Sequence, residues 1–122
     1  MKKTAALLMA LVLVFALAAC GKKTDTAATD ANATASQEIT LQASNWKFDQ
    51  AEYKVKKGEP LKINLDIKEG VHGVSIPDLK VSLDNSSKSK VVTPEKAGTY
   101  NILCSIPCGS GHSTMTAKLV VE

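Results

Sequence analysis

Near the end of the 122-residue chain, four side chains able to bind a metal fall within twelve residues: Cys104, Cys108, His112 and Met115, spaced C-x3-C-x3-H-x2-M. Ligand softness narrows the metal. Two thiolates, an imidazole and a thioether suit copper, whereas a structural zinc site would use Cys and His and gain little from Met. One thiolate with His and Met would suit a mononuclear blue-copper site. Two thiolates in one loop can instead bridge two metals, and each metal then needs its own nitrogen. The chain has two histidines, and the second is His72, in Val71-His72-Gly73-Val74-Ser75-Ile76-Pro77-Asp78-Leu79. A two-copper site would use both. Plainer readings stand beside this one. Cys104 and Cys108 could form a disulfide, which would leave the spacing of His112 and Met115 unexplained; His112 could be an exposed loop residue and Met115 core filler.

The elements that must position these side chains read as β throughout residues 38–122. Leu61 to Lys68 alternates apolar and polar over eight residues, the pattern of a strand with one wet face. Ile39 to Ala43 and Tyr53 to Lys56 alternate more briefly. Residues 71–76, 79–83, 90–93, 100–104 and 116–121 are further candidates, separated by turn signals such as Lys57-Gly58-Glu59-Pro60 and Glu69-Gly70. Seven to eight short strands at this spacing predict an all-β sandwich or barrel in one domain. One strand delivers Cys104, a loop carries Cys108 and His112, and another strand leaves after Met115. Gly109 and Gly111 allow that loop positive φ angles, and Pro107 stiffens it. Trp46, in Asn45-Trp46-Lys47-Phe48, reads as core packing, with a subsidiary reading as the point where electrons enter.

The N-terminal part reads as a targeting signal. Met1-Lys2-Lys3 precedes an apolar run of fifteen residues, Ala5 to Ala19. A membrane span needs about 20 such residues, so the run is short for a span and suited to a signal peptide over 1–19. It ends Leu17-Ala18-Ala19-Cys20-Gly21, which resembles the lipobox of bacterial lipoproteins, where cleavage precedes the cysteine and the cysteine is acylated. That implies an exported protein held by a lipid on Cys20, on the outer face of the cytoplasmic membrane or elsewhere in the envelope. Residues 20–37, rich in Ala, Thr and Asp, bury too little apolar surface to offset the entropy of ordering and read as a flexible tether.

Charge excludes more than it assigns. The formal net charge is +3 and every basic side chain is lysine. A chain without arginine lacks the bidentate fork prominent in phosphate and nucleic-acid recognition, so no nucleic-acid partner is expected. Without Lys2 and Lys3, thirteen lysines face twelve carboxylates, and electrostatics alone names no partner.

The C-terminal motif resembles the binuclear copper site, CuA, of cytochrome c oxidase subunit II and of nitrous-oxide reductase. Residues 71–79 also resemble subunit II, where the first copper histidine has a similar setting. The resemblance covers essentially Leu41 to Glu122. It implies a cupredoxin-like Greek-key β-sandwich in which Cys104 and Cys108 bridge two copper ions, His72 and His112 bind one each, Met115 is a weak axial ligand to one, and the backbone carbonyl of Ile106 is the weak ligand to the other. Subunit II usually carries an acidic or amide residue at the position of Ile106, able to serve a neighbouring subunit, and it is anchored by membrane helices. Both departures imply a free-standing CuA protein. The expected function is electron transfer, not enzymatic turnover, with the potential tuned by Met115 and the surrounding apolar residues Ile76, Leu103 and Ile106, and with a redox protein such as a cytochrome c or a terminal oxidase as partner. The alternatives are a lipoprotein that stores copper or delivers it for oxidase assembly, and a membrane-bound oxidase subunit.

Overall fold

The computed structural model describes residues 34–122, so the signal peptide, Cys20 and most of the tether lie outside the described residues. Nine strands form two sheets. They are β1 (Gln37–Ser44), β2 (Lys47–Phe48), β3 (Glu52–Val55), β4 (Leu61–Ile67), β5 (Val74–Ile76), β6 (Val81–Leu83), β7 (Ser89–Val92), β8 (Gly98–Cys104) and β9 (Thr116–Val121). One sheet has the order β2-β1-β4-β7 and the other β3-β9-β8-β5-β6. The all-β class matches the expectation. The ninth strand is β2, a two-residue partner that turns back onto β1 through Ala43↔Phe48 and Ser44↔Lys47. It is too short to leave an alternation signal.

Period-two patterning explains the core. Leu61, Ile63 and Leu65 of β4 are buried while Lys62, Asn64 and Asp66 between them are not. Ile102 and Cys104 of β8, and Ala117, Leu119 and Val121 of β9, turn inward in the same way. Leu41 and Ala43 of β1 complete the facing layer. Burial of the Leu, Ile and Val side chains among them stabilises each by about 1.5–3 kcal/mol relative to exposure. Two parallel pairings, β1 with β4 and β3 with β9, join strands distant in sequence.

Two sequence-level strands come out shorter. The 71–76 candidate begins only at Val74, so Val71, His72 and Gly73 belong to the β4–β5 loop. The 79–83 candidate begins at Val81, because Pro77–Leu79 form a 3-10 turn closed by the Lys80 N–H on the Pro77 carbonyl.

Candidate metal centre

The centre is assembled by the pairing of β5 with β8. Val74 lies opposite Cys104 and Ser75 opposite Leu103, so the residues just before Val74 sit beside those just after Cys104. The Ser105 N–H donates to the Gly73 carbonyl at 3.2 Å, and the Cys104 N–H to the Met115 carbonyl at 3.2 Å. Gly73 has no room for a side chain, since a Cβ would lie 2.5 Å from Ser105 Oγ and 2.9 Å from Ile106 Cγ1. The alternation of β8 turns Cys104 inward at the strand's last residue.

His72, Cys104, Cys108 and His112 meet here, together with the Ile106 carbonyl. Cys104 and Cys108 are free thiols with their sulfurs 3.5 Å apart, beyond the ~2.05 Å of a disulfide. His72 Nδ1 lies 4.0 Å from Cys104 Sγ, and His112 Nδ1 lies 3.6 Å from Cys108 Sγ. The donor atoms of His72, Cys104 and Cys108 all fall within 4.8 Å of one another. His112, on the 3-10 turn His112–Thr114, approaches Cys108 alone and lies outside that trio. The Ile106 carbonyl accepts from Cys104 Sγ at 3.3 Å, so it too faces the thiols. Met115 is fully buried, and its N–H donates to the His112 carbonyl at 3.3 Å. Two thiols and two imidazole nitrogens in this order are a donor set fitted to a soft metal.

Burial grades the centre from inside to outside. His72 is 0% exposed and Cys104 is buried, whereas Cys108 and His112 are half-buried. Desolvation, the hydrogen bond with Cys104 and that neighbour's charge push the Cys108 thiol above its ordinary pKa.

Three side chains differ from expectation. Trp46 is 40% exposed and is not core. Phe48 takes the buried position of that hairpin, while Trp46 lies across the ligand loop, its Nε1–H donating to the Cys108 carbonyl at 3.1 Å. Leu103 is 36% exposed because the alternation that buries Cys104 turns its neighbour out, whereas Ile76 is buried and Ile106 half-buried. Of the loop glycines, Gly109 has positive φ (130°), but Gly111 has φ −94°. Gly111 is required for space, since a Cβ there would overlap Cβ and Cγ of Trp46. Sequence reasoning missed Asn45 and Gly70, which meet at the back of His72: a Cβ on Gly70 would overlap Asn45 Oδ1 and lie 3.0 Å from His72 Nε2.

Comparison with known proteins fits this geometry. An alternative cytochrome c oxidase subunit 2 of Bradyrhizobium diazoefficiens is 29% identical over 68 residues, covering 53% of this chain; the match spans only 24% of that relative. The periplasmic domain of cytochrome oxidase subunit II from Bradyrhizobium japonicum superposes with a TM-score of 0.68 at 16% identity, covering 74% of this chain and 86% of that one. At that identity the likeness establishes the fold. A chain of a heme-copper terminal oxidase dimer superposes with a TM-score of 0.60 at 27% identity, covering 85% of this chain and 84% of that one. The family model of the cupredoxin-like domain matches residues 7–121. That match spans most of the chain, and this chain belongs to the cupredoxin-like domain family.

Proposed function

We propose that this chain is an electron carrier in which His72, Cys104, Cys108 and His112 hold two copper ions in a CuA-type centre, with Met115 and the Ile106 carbonyl as weak ligands. The observation that carries this reading is the order of donors: His72 Nδ1, Cys104 Sγ, Cys108 Sγ and His112 Nδ1 follow one another at 4.0, 3.5 and 3.6 Å. A thiol pair with an imidazole nitrogen near each sulfur could hold two soft metal ions among these four side chains. Copper bound there would supply a one-electron couple.

The chain's own residues supply the rest. The β5–β8 ladder and the Cys104–Met115 hydrogen bond fix Cys104 before any electron arrives. The burial of His72 and Cys104 keeps water from the inner side. The half-buried His112 gives the outer side an edge where a redox protein, such as a cytochrome c or a terminal oxidase, docks. Export and a lipid on Cys20 would keep the domain tethered at the membrane, near such partners. The competing reading, copper delivery, draws on the partial exposure of Cys108 and His112, since delivery needs ligands that a recipient can reach.

The test is to reduce the thiols of the domain, add copper, and record stoichiometry with visible and EPR spectra. Two coppers per chain, strong thiolate-to-copper absorption and one electron shared over two copper nuclei are expected. One copper, or colourless Cu(I) alone, would sink the binuclear assignment. Copper exchange into a chelator within seconds would instead favour delivery.

A further inference from the structure

The His72 imidazole is fully buried, and its Nε2 has no hydrogen-bond partner among the described residues. A buried N–H left unpaired is costly, so the group needs a partner. The ring's other nitrogen, Nδ1, is turned toward Cys104. Nε2 must therefore carry the proton if Nδ1 is to bind a metal.

Behind Nε2 lies Gly70, in the left-handed region with φ 79°. The space a Cβ would fill there is shared by two groups: His72 Nε2 at 3.0 Å and, closer still, Asn45 Oδ1, with Asn45 Cγ at 3.2 Å. The amide oxygen and the imidazole nitrogen thus border the same small space, although no hydrogen bond joins them as the side chains stand. Asn45 is exposed, at the β1–β2 turn, so its amide is free to turn into that space.

We infer that Asn45 is a positioning residue for the metal centre: its side-chain carbonyl turns into the space kept open by Gly70 and there accepts the Nε2–H of His72, fixing the tautomer and the orientation in which Nδ1 faces Cys104. The Gly70 backbone serves twice, by supplying the positive φ that turns the loop and by leaving out the Cβ that would separate the two groups. Hydrogen-bond partners of this kind hold metal-binding histidines in place, and their loss typically costs 10–100-fold in metal affinity or activity.

This inference rests on the reading of His72 as a copper ligand, and its test separates the two. In the reduced, metal-free, nitrogen-15-labelled protein at mildly alkaline pH, long-range proton–nitrogen spectra report which ring nitrogen of His72 is protonated. Wild type and Asn45→Asp, which keeps an acceptor oxygen, are expected to hold the Nε2–H form. Asn45→Leu is expected to shift His72 to a mixture of tautomers and, after copper loading, to release copper to a chelator about ten-fold faster or more. An unchanged tautomer and release rate in Asn45→Leu would overturn the inference. If Asn45→Leu does not fold, the wild type decides through a nuclear Overhauser contact between the His72 Nε2–H and the Asn45 side-chain amide; absence of that contact overturns the inference. Copper stoichiometry is read separately. Failure of wild type to bind copper at all would remove the ligand assignment, whereas two bound coppers with an unchanged tautomer would remove only the role of Asn45.

Discussion

The indole Nε1–H of Trp46 donates to the Cys108 backbone carbonyl across 3.1 Å, tying residues 62 apart in sequence at the mouth of the metal centre. The ring also lies against the backbone of Gly109 and Gly111, where added Cβ atoms would sit 2.8 Å from Trp46 Nε1 and in overlap with Trp46 Cβ and Cγ, respectively. The β1–β2 turn therefore braces the ligand loop from outside. Gly111, with ordinary φ, isolates the steric part. Gly111→Ala should lower stability by about 1–3 kcal/mol and should cost less in a Trp46→Ala background. Urea unfolding of the four proteins should give a coupling of about 0.5–3 kcal/mol; strictly additive costs would mean that the indole does not set the loop's position.

The same placement sharpens the question of electron entry. Trp46→Phe keeps an aromatic ring but loses the hydrogen bond to Cys108. It should retain both coppers and slow electron exchange with a cytochrome c, as read by stopped-flow absorption. Unchanged exchange rates would leave Trp46 as a brace alone.

His72 and His112 should separate structure from metal binding. His72 is fully buried against β5 and β8, whereas His112 is half-exposed on a loop. His112→Ala should change the stability of the metal-free domain by no more than about 0.5 kcal/mol, yet abolish the EPR pattern of two equivalent coppers. His72→Ala should abolish that pattern and also destabilise the metal-free domain by on the order of 2 kcal/mol through the cavity it leaves. Denaturant midpoints with and without copper distinguish the two; equal stability losses would contradict the burial difference.

Away from the metal, Tyr53 and Asp49 set a pH dependence. Tyr53 Oη–H donates to Asp49 Oδ1 at 2.6 Å, and the Gln42 N–H donates to the same oxygen at 2.9 Å. Burial pushes the Asp49 carboxyl up, but these hydrogen bonds outweigh it and hold the group below its ordinary 3.8. Because the folded pKa is the lower one, the contribution to stability is fully present above 3.8 and is lost as pH falls through the folded value. Tyr53→Phe should cost about 1 kcal/mol at neutral pH, a modest figure because Asp49 is solvent-exposed. The gap between wild type and Tyr53→Phe should narrow in acid, as measured by urea unfolding across pH; a constant gap would mean that the lost hydrogen bond does not depend on the carboxylate charge.

Much of this was legible in the residues. The run from Cys104 to Met115 carries its chemistry in its spacing, and β4 announces its buried face by strict alternation from Leu61 to Ile67. His72 was reachable because a paired-thiol site needs a second nitrogen and the chain has only one other histidine. Asn45, Gly70 and the brace formed by Trp46 were not legible. Each depends on the β1–β2 turn crossing over loops far away in sequence, a long-range packing event that leaves no local periodicity. Leu103 was misread for a related reason: it is apolar and adjacent to a ligand, but alternation along β8 makes the neighbours of an inward residue outward.

Metal removal should expose how far the centre holds the fold together. The proposed ligands come from two loops, one before β5 and one between β8 and β9, so copper bound to the folded state alone would stabilise it by mass action. At a free concentration one hundred times the dissociation constant the gain is about 2.7 kcal/mol. A domain of this size shifts its midpoint by roughly 4–8 °C per kcal/mol, so stripping copper with a chelator under reducing conditions should lower the melting temperature by on the order of 10–20 °C. The sandwich itself should survive, because the buried residues of β4, β8 and β9 pack without reference to the metal loops. Calorimetry of the loaded and stripped domain would measure both. An unchanged melting temperature would place the copper on ligands that the unfolded chain presents equally well, whereas loss of any cooperative transition on stripping would make the metal part of the fold.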